Sequence, residues 1–486
     1  MKLIVSVTAN PDRMRFIRII KISNRINLKH FITNLFLRMK KKLIASVILL
    51  LIAVLPAAAQ TGVAKVVPHI DFGNTAWIIV ATALVMFMTI PGLALFYGGL
   101  VRRKNVLNIL MQCFIIMAII SIEWVVFGYS MTFGTTTGFL APYIGGFHWA
   151  FLNNIGINDI SPYFVSQQNA RIPHLLFVMF QCMFAVITPA LIIGAFAERI
   201  NFKGFVVFSL LWAIFVYNPV AHWIWSSSGW LFKMGTLDFA GGIVVHINAG
   251  IAALVTAVML GKRKDYRGHA IPPHNIPFVV MGAAFLWFGW YGFNAGSALA
   301  ADGLSVNAFL VTHIAAATAA VTWVIIDMLY DKKPTLVGIC TGAVAGLAAV
   351  TPAAGYIGLS GAIVIGVIVS IVCFFMVAHV KERFGYDDSL DAFGVHGMGG
   401  IIGSVLTGVL ATPLIQSAYS GLLYGNVHQF SVQLIAVGTT ILYSGVMTII
   451  IFKLVEKTVG IRATKQEESV GLDETLHNEI AYTTID

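Results

Sequence analysis

Residues 238–260 read DFAGGIVVHINAGIAALVTAVML, and residues 391–397 read DAFGVHG at the head of a second apolar run. Each stretch carries a histidine, His246 or His396, shortly after an aspartate and inside a segment long enough to cross a bilayer. About 20 apolar residues in a helix cover the ~30 Å hydrocarbon layer. Backbone groups in lipid must be satisfied within the segment, which selects helix over open strand. A charged side chain at that depth costs between about 2.5 and 17 kcal/mol, depending on how it is measured. Two titratable rings in comparable settings point to a path through the membrane more than to an accident of packing.

The rest of the chain agrees. Of its 486 residues 58% are hydrophobic and only 11% charged, and apolar stretches of spanning length recur along most of it, a composition outside the range of soluble domains. The expected fold is an all-α polytopic membrane protein. A formal charge of +10 could suit nucleic acid, but the basic residues sit in short clusters between apolar runs, as in cytoplasmic membrane loops. No nucleic-acid partner is expected; the lipid bilayer is. Cys113, Cys182, Cys340 and Cys373 are far apart in apolar stretches with no CxxC. They read as small packing residues, not as a disulfide framework or zinc site, and neither a metal nor a cofactor is expected.

From Met39 the chain reads MKKKLIASVILLLIAVLPAAAQ: lysines, an apolar run, then small residues, the pattern of a secretory signal peptide. The expected organisation is an upstream extension over 1–38 from a misplaced start, a signal peptide over 39–59 cleaved after Ala59, a membrane domain over 60–455, and a cytoplasmic tail over 456–486. The alternative is that the basic extension is genuine and the apolar run is an uncleaved anchor.

Eleven transmembrane helices are predicted, at 75–99, 105–130, 172–197, 204–225, 239–261, 276–299, 305–330, 335–352, 357–381, 392–412 and 429–455. With the N-terminus outside, the inner loops carry Arg102, Arg103, Lys104, Arg199, Lys203, Lys262, Arg263, Lys264, Arg267, Lys332, Lys333, Lys381 and Arg383, whereas the outer loops carry Arg171 and Lys233. That asymmetry sets the N-terminus outside and the C-terminus inside, as the signal peptide does independently, and implies a bacterial inner membrane.

If the first ten helices form two repeats of five, the second is inverted, with a long eleventh helix added, and a substrate site is expected near mid-membrane between them. Asp238 opens its helix on the outer side with His246 about 12 Å deeper, and Asp391 opens its helix on the inner side with His396 about 7.5 Å in. The imidazoles thus approach each other from opposite ends. Each aspartate is expected to cap its own helix, a purely structural role at least as favoured as substrate contact. Glycines 241, 242, 394, 397, 399 and 400 allow close helix approach.

Five motifs in order, GLALFYGGLVRRKN (92–105), FAVITPALIIGAFAERINF (184–202), DFAGGIVVHINAG (238–250), GWYGFNAGS (289–297) and DAFGVHG (391–397), resemble the ammonium transporter (Amt/Mep/Rh) family, Amt branch, over essentially the whole mature chain. The resemblance implies an eleven-helix fold with an inverted repeat and a homotrimer in which each subunit has its own pore. It also implies site residues: Trp225 and Ser297 at an outer recruitment site closed below by Phe184, an aromatic gate of Phe184 and Phe293, a pore lined by His246 and His396 with Trp290 beside them, and Asp238 organising the vestibule. The chain departs from the family at WSSSGW (225–230), which leaves Trp223 and Trp230 as competitors for Trp225, and at Glu123, an acid where an apolar residue is usual. Glu123 either faces a water-filled vestibule or is neutral; His222 and His313 read as packing or capping residues. The tail resembles the family segment that packs under the neighbouring subunit, and a PII-type signalling protein is the implied partner on the inner face. Asn478 stands where the family favours glycine, and a solvated tail is the alternative.

The chemistry suits ammonium, or methylammonium as its analogue. An aromatic face attracts a cation by about 0.5–2 kcal/mol, and a serine hydroxyl accepts an N–H bond that potassium cannot offer. Beyond a dry aromatic gate the ion passes only by shedding its proton, and two neutral imidazoles offer ammonia both donor and acceptor nitrogens. A bare phenylalanine, one of 34, is far more often packing than gate, so only the motif context singles out Phe184 and Phe293. No enzymatic activity is expected. Two rivals are an Amt-like ammonium sensor signalling through its tail, disfavoured by the absence of an output domain after the last helix, and a bis-histidine haem protein, disfavoured by the glycines crowding the histidines.

Overall fold

The structure, a computed structural model, describes residues 70–163, 171–266 and 271–482, within the compact unit that begins at Val67. The expected extension and signal peptide lie outside the described residues. Ten helices among those described are long and apolar enough to cross a membrane: α1 Phe72–Leu100, α2 Arg103–Phe133, α3 His174–Phe196, α4 Phe202–Lys233, α5 Gly242–Leu260, α6 Ile276–Gly296, α7 Gly303–Tyr330, α9 Leu359–Phe384, α10 Phe393–Leu410 and α11 Val427–Thr458. The predicted segment 335–352 is a shorter apolar helix, α8, Leu336–Val350. At 15 residues it is about 22 Å long, short of the ~30 Å layer.

Side chains at the helix starts do the work the backbone cannot. The first N–H groups of a helix have no internal acceptor. Asp71 accepts from Asn74 N–H (2.6 Å), Asn201 from Gly204 (2.7 Å), Thr335 from Gly338 (2.9 Å) and Asn426 from Gln429 (2.9 Å), starting α1, α4, α8 and α11. In α1 the chain leaves helical geometry at Ile90, just before Pro91, whose ring cannot continue the hydrogen-bond ladder. Wide π-turns interrupt five other helices, including Trp124–Gly128 in α2, Ala213–Tyr217 in α4, Gly242–Ile247 in α5 and Phe393–Gly397 in α10. Both histidines of interest fall inside such turns, which concentrate at functional sites.

The loops rich in basic residues converge. Glu198, between α3 and α4, accepts from the backbone N–H of Arg102 (2.7 Å) and from Arg263 Nη1 (2.9 Å). Arg263, between α5 and α6, forks onto Asp387, between α9 and α10, at 2.9 and 2.8 Å. Burial alone would raise the carboxyls of Glu198 and Asp387, but the guanidinium groups outweigh it and hold both below the usual carboxylate range. Burial pulls Arg199 down to about 10 against the opposing pull of Asp387. At the other end Phe239 N–H meets Pro352 O (3.1 Å) and Thr412 N–H meets Tyr356 O (2.9 Å), joining the α4–α5, α8–α9 and α10–α11 loops.

The described part of the tail, through Tyr482, packs on its own chain. Two short helices, α12 Lys465–Val470 and α13 Leu472–His477, follow α11. Asp473 accepts from Leu107 (3.1 Å) and Asn108 (2.8 Å), backbone N–H groups in the first turns of α2, and Arg462 reaches Leu260 O and Lys262 O.

Candidate functional site

A cavity of about 490 Å³ opens between the α4–α5, α8–α9 and α10–α11 loops, lined by Trp225, Asp238, Phe239, Ser297, Tyr356 and Tyr419 among others. A second hollow of about 10 Å³ shares Trp225, Phe239 and Ser297 and reaches Phe184. Of the three competing tryptophans, Trp225 lines this cavity. Trp223 instead donates to Tyr143 O (2.8 Å) and packs on Tyr443 and Trp230. Trp225 is fixed by its own indole N–H, which donates to the Asp238 carbonyl (2.9 Å).

From that tryptophan a line of rings runs inward. Trp225 meets Phe184 edge-on, with centroids 5.7 Å apart, and Phe184 overlaps Phe293 at 4.3 Å. Phe293 lies 6.1 Å from His246, and His246 stacks on His396 at 5.3 Å with the planes only 12° apart. Trp290 stacks on the outer face of His246 at 5.4 Å and is held by its N–H bond to Thr351 Oγ1 (2.9 Å). All six rings are buried. Both ring nitrogens of His246 and the Nδ1 of His396 lack a hydrogen-bond partner among the described residues, so donor and acceptor sites stand unused along the ring edges.

Glycine makes this stacking possible. A Cβ on Gly400, four residues past His396, would meet the Gly242 carbonyl at 2.6 Å and the Ile247 nitrogen at 2.9 Å. A Cβ on Gly250, four residues past His246, would meet the Cα and nitrogen of Gly397. The contact is reciprocal: the position four past each histidine packs on the backbone one past the other.

The aspartates divide unequally. Asp238 takes four backbone N–H groups, Gly241 and Gly242 on Oδ1 (3.0 and 2.6 Å) and Ile243 and Val244 on Oδ2 (2.9 and 3.0 Å). It caps α5, as expected. Asp391 does not cap α10. Its backbone is left-handed (φ 60°), which turns the carboxylate away from the helix start and onto Lys381. It also lies at the end opposite the cavity. The capping belongs to Asp388, which accepts from Ala392 (3.1 Å) and Phe393 (2.8 Å). The readable signal was spacing, since Asp238 precedes His246 by eight residues and Asp388 precedes His396 by eight. Tyr356, Tyr419 and Thr351 were also missed, and no local pattern marked them.

His222 is locked by two carbonyls, Thr132 O (2.7 Å) and Ala141 O (2.9 Å), and His313 bonds Tyr291 OH (2.7 Å). Both stand apart from the ring line as packing or pinning residues. Ser297 donates to Phe293 O (2.8 Å) and lines the cavity. Among the described residues no cluster of three His, Cys, Asp or Glu side chains could hold a metal ion.

Comparison with known proteins agrees with this geometry. Residues 76–482 match the model of the Ammonium Transporter Family. An ammonium transporter of Bacillus subtilis is 48% identical over 413 residues, covering 85% of this chain and 99% of that protein. One of Aquifex aeolicus is 49% identical over 414 residues, covering 85% and 94%. Among solved structures, Saccharomyces cerevisiae Mep2 superposes with a TM-score of 0.73 at 34% identity, covering 81% of this chain and 88% of that one. A protein described as Sensor Amt Protein superposes at 0.74 and 29% identity, covering 82% and 97%. With the family model matched over residues 76–482 and relatives of 48–49% identity over nearly their whole length, the chain belongs to the ammonium transporter family.

Proposed function

We propose that this chain is an ammonium transporter that recruits NH₄⁺ between Trp225 and Ser297, deprotonates it, and conducts NH₃ past Phe184 and Phe293 and between His246 and His396. The supporting observation is the unbroken ring line ending in two parallel imidazoles with unused nitrogens. Trp225 offers a π-face to the cation, and Ser297 offers a free acceptor. The phenylalanine pair leaves no room for a hydrated ion. Neutral ammonia can then exchange one hydrogen bond for the next along the imidazole edges, and those same nitrogens are able to relay the released proton.

The proposal includes eleven crossings, with the N-terminus outside and the basic loops and tail inside, in a bacterial inner membrane serving nitrogen uptake. A parity argument supports it. Arg263, before α6, bonds Asp387, after α9, so the segment from α6 to α9 must cross an even number of times. That requires the short α8 to cross with α6, α7 and α9. Exposed apolar side chains along α2, α7 and α11, such as Ile122, Val321 and Leu442, suit lipid or the neighbouring subunits of a homotrimer. The basic inner loops beside the docked tail suit a PII-type partner.

The test is methylammonium flux and ammonium current in proteoliposomes for His246→Ala, His396→Ala and Trp225→Leu. The histidine changes are expected to abolish or de-select transport, and the tryptophan change to weaken recruitment. Wild-type selectivity in both histidine variants would defeat the pore assignment. Sensing is the second reading, favoured by the superposition on the Sensor Amt Protein; selective flux from the purified chain decides against it.

A further inference from the structure

The ring line leaves one intramembrane acid unused. Glu123, on α2, is 4% exposed. Its Oε1 accepts one bond, from Asn218 Nδ2 (2.8 Å) on α4, and its Oε2 has no partner among the described residues. No cation pairs with it there. Asn218 in turn receives Thr132 Oγ1 (3.4 Å). The Tyr217 hydroxyl, on the residue beside Asn218, is fully buried, also without a partner, and within electrostatic range of Glu123 and of Cys182 on α3.

The backbone around this acid is built to admit it. A π-turn in α2 begins at the next residue, Trp124–Gly128, and a π-turn in α4 ends on Tyr217, Ala213–Tyr217. Trp124 and Tyr217 touch across the two turns, with centroids 6.4 Å apart. Gly128 closes the cradle: a Cβ there would fall 2.6 Å from Glu123 Oε2 and 2.7 Å from Oε1. Paired π-turns on facing helices, a glycine that makes room for a carboxyl, and two orphaned polar atoms are independent marks of a site, and an intramembrane acid is by default a functional group.

We propose that Glu123, cradled by Gly128, Asn218 and Tyr217, is an intramembrane proton-binding site separate from the histidine pair. An ionised carboxylate with a single neutral donor and no counter-ion is poorly held in an apolar interior, so the group rests as the acid. Its O–H and the Tyr217 hydroxyl can share one water molecule. Exchange follows as Glu–COOH + H₂O ⇌ Glu–COO⁻ + H₃O⁺, with the O–H electron pair staying on the carboxylate and the proton leaving on the water. The titratable groups within electrostatic range of it are Tyr217 on α4 and Cys182 on α3. Toward the outer end lie His174, bonded to Tyr129, and His222, held by its two carbonyls. Neither histidine of the ring line contacts Glu123 among the described residues. Asn218 sits seven residues before Trp225, about 10 Å along α4.

Infrared spectroscopy of the full chain in liposomes tests this without measuring transport, so its failure is distinct from failure of the pore assignment. The wild type is expected to show a protonated-carboxyl C=O band at neutral pH that shifts in D₂O and is lost on alkalinisation. That band is expected to vanish in Glu123→Gln and to change frequency in Tyr217→Phe while remaining titratable. A band undiminished in Glu123→Gln, or no such band in wild type, would overturn the site. Should Glu123→Gln not assemble, Tyr217→Phe decides alone, and an unmoved band there overturns the proposal.

Discussion

Gly400→Ala is the sharpest test of how the two histidines are held. The added methyl would sit 2.6 Å from the Gly242 carbonyl, 2.9 Å from the Ile247 nitrogen and 3.0 Å from His246 Cβ. Ordinary contact begins near 3.4 Å, so α5 and α10 must part by about 0.8 Å. Two of the three obstacles are backbone atoms, which cannot swing aside as a side-chain tip would. Overpacking of this kind costs about 1–3 kcal/mol, and displacing aligned groups by about 1 Å can lower a rate by as much as ~100-fold. The expected result is a folded protein, modestly lower in melting temperature, whose methylammonium flux in proteoliposomes falls by at least tenfold. Gly438→Ala on α11 is the control, because a Cβ there meets nothing within 4 Å, and its flux should equal that of wild type. A Gly400→Ala protein with wild-type flux would refute the claim that close backbone approach positions the imidazoles.

Asp238→Asn leaves one good acceptor oxygen for four N–H groups. It should cost about 1–3 kcal/mol for each one stranded, read as a fall in detergent melting temperature. Asp391→Asn, which loses only a partly exposed ion pair, should cost about 1 kcal/mol or less, whereas Asp388→Asn, which strands one of two N–H groups, should cost about 1–3 kcal/mol. Glu198→Gln removes the carboxylate shared by Arg102 and Arg263, which keep Asp265 and Asp387 as partners, and should cost about 1.5–3 kcal/mol. Because Glu198 and Asp387 sit below their ordinary carboxyl range, their contribution is present above that range. It is lost as pH falls through the folded values, from about pH 5 downward, so the acid limb of a melting profile should flatten in the variant. Asp473→Ala removes two caps from α2 and should raise hydrogen exchange at Leu107 and Asn108 and across 465–482, with exchange unchanged at α7.

The spans were legible because a run of some 20 apolar residues has few other fates, and even the undersized α8 stood out at 335–352. The two histidines were legible for the complementary reason, as polar groups where lipid tolerates few. The π-turns were not, since they are set by how neighbouring helices meet and leave no periodic trace in one strand of text. Asp391 opens the DAFGVHG motif and so reads as the cap; the left-handed backbone that sends its carboxylate to Lys381 instead leaves no trace in the sequence. Nothing in the sequence marks Glu198 and Asp387, because their partners, Arg102 and Arg263, are distant along the chain. The tail was readable as polar, but its seat on α2 rests on Asp473 meeting amides more than 360 residues earlier.

The reciprocal crossing of α5 and α10 has a mechanical corollary. Each helix presents its bare backbone to the other at matching heights, so neither can rotate or slide without driving its twin by an equal step. The crossing thereby ties the positions of the two histidines to each other. A substitution at either glycine is therefore felt at both histidines alike, because the backbone it displaces carries the opposite ring.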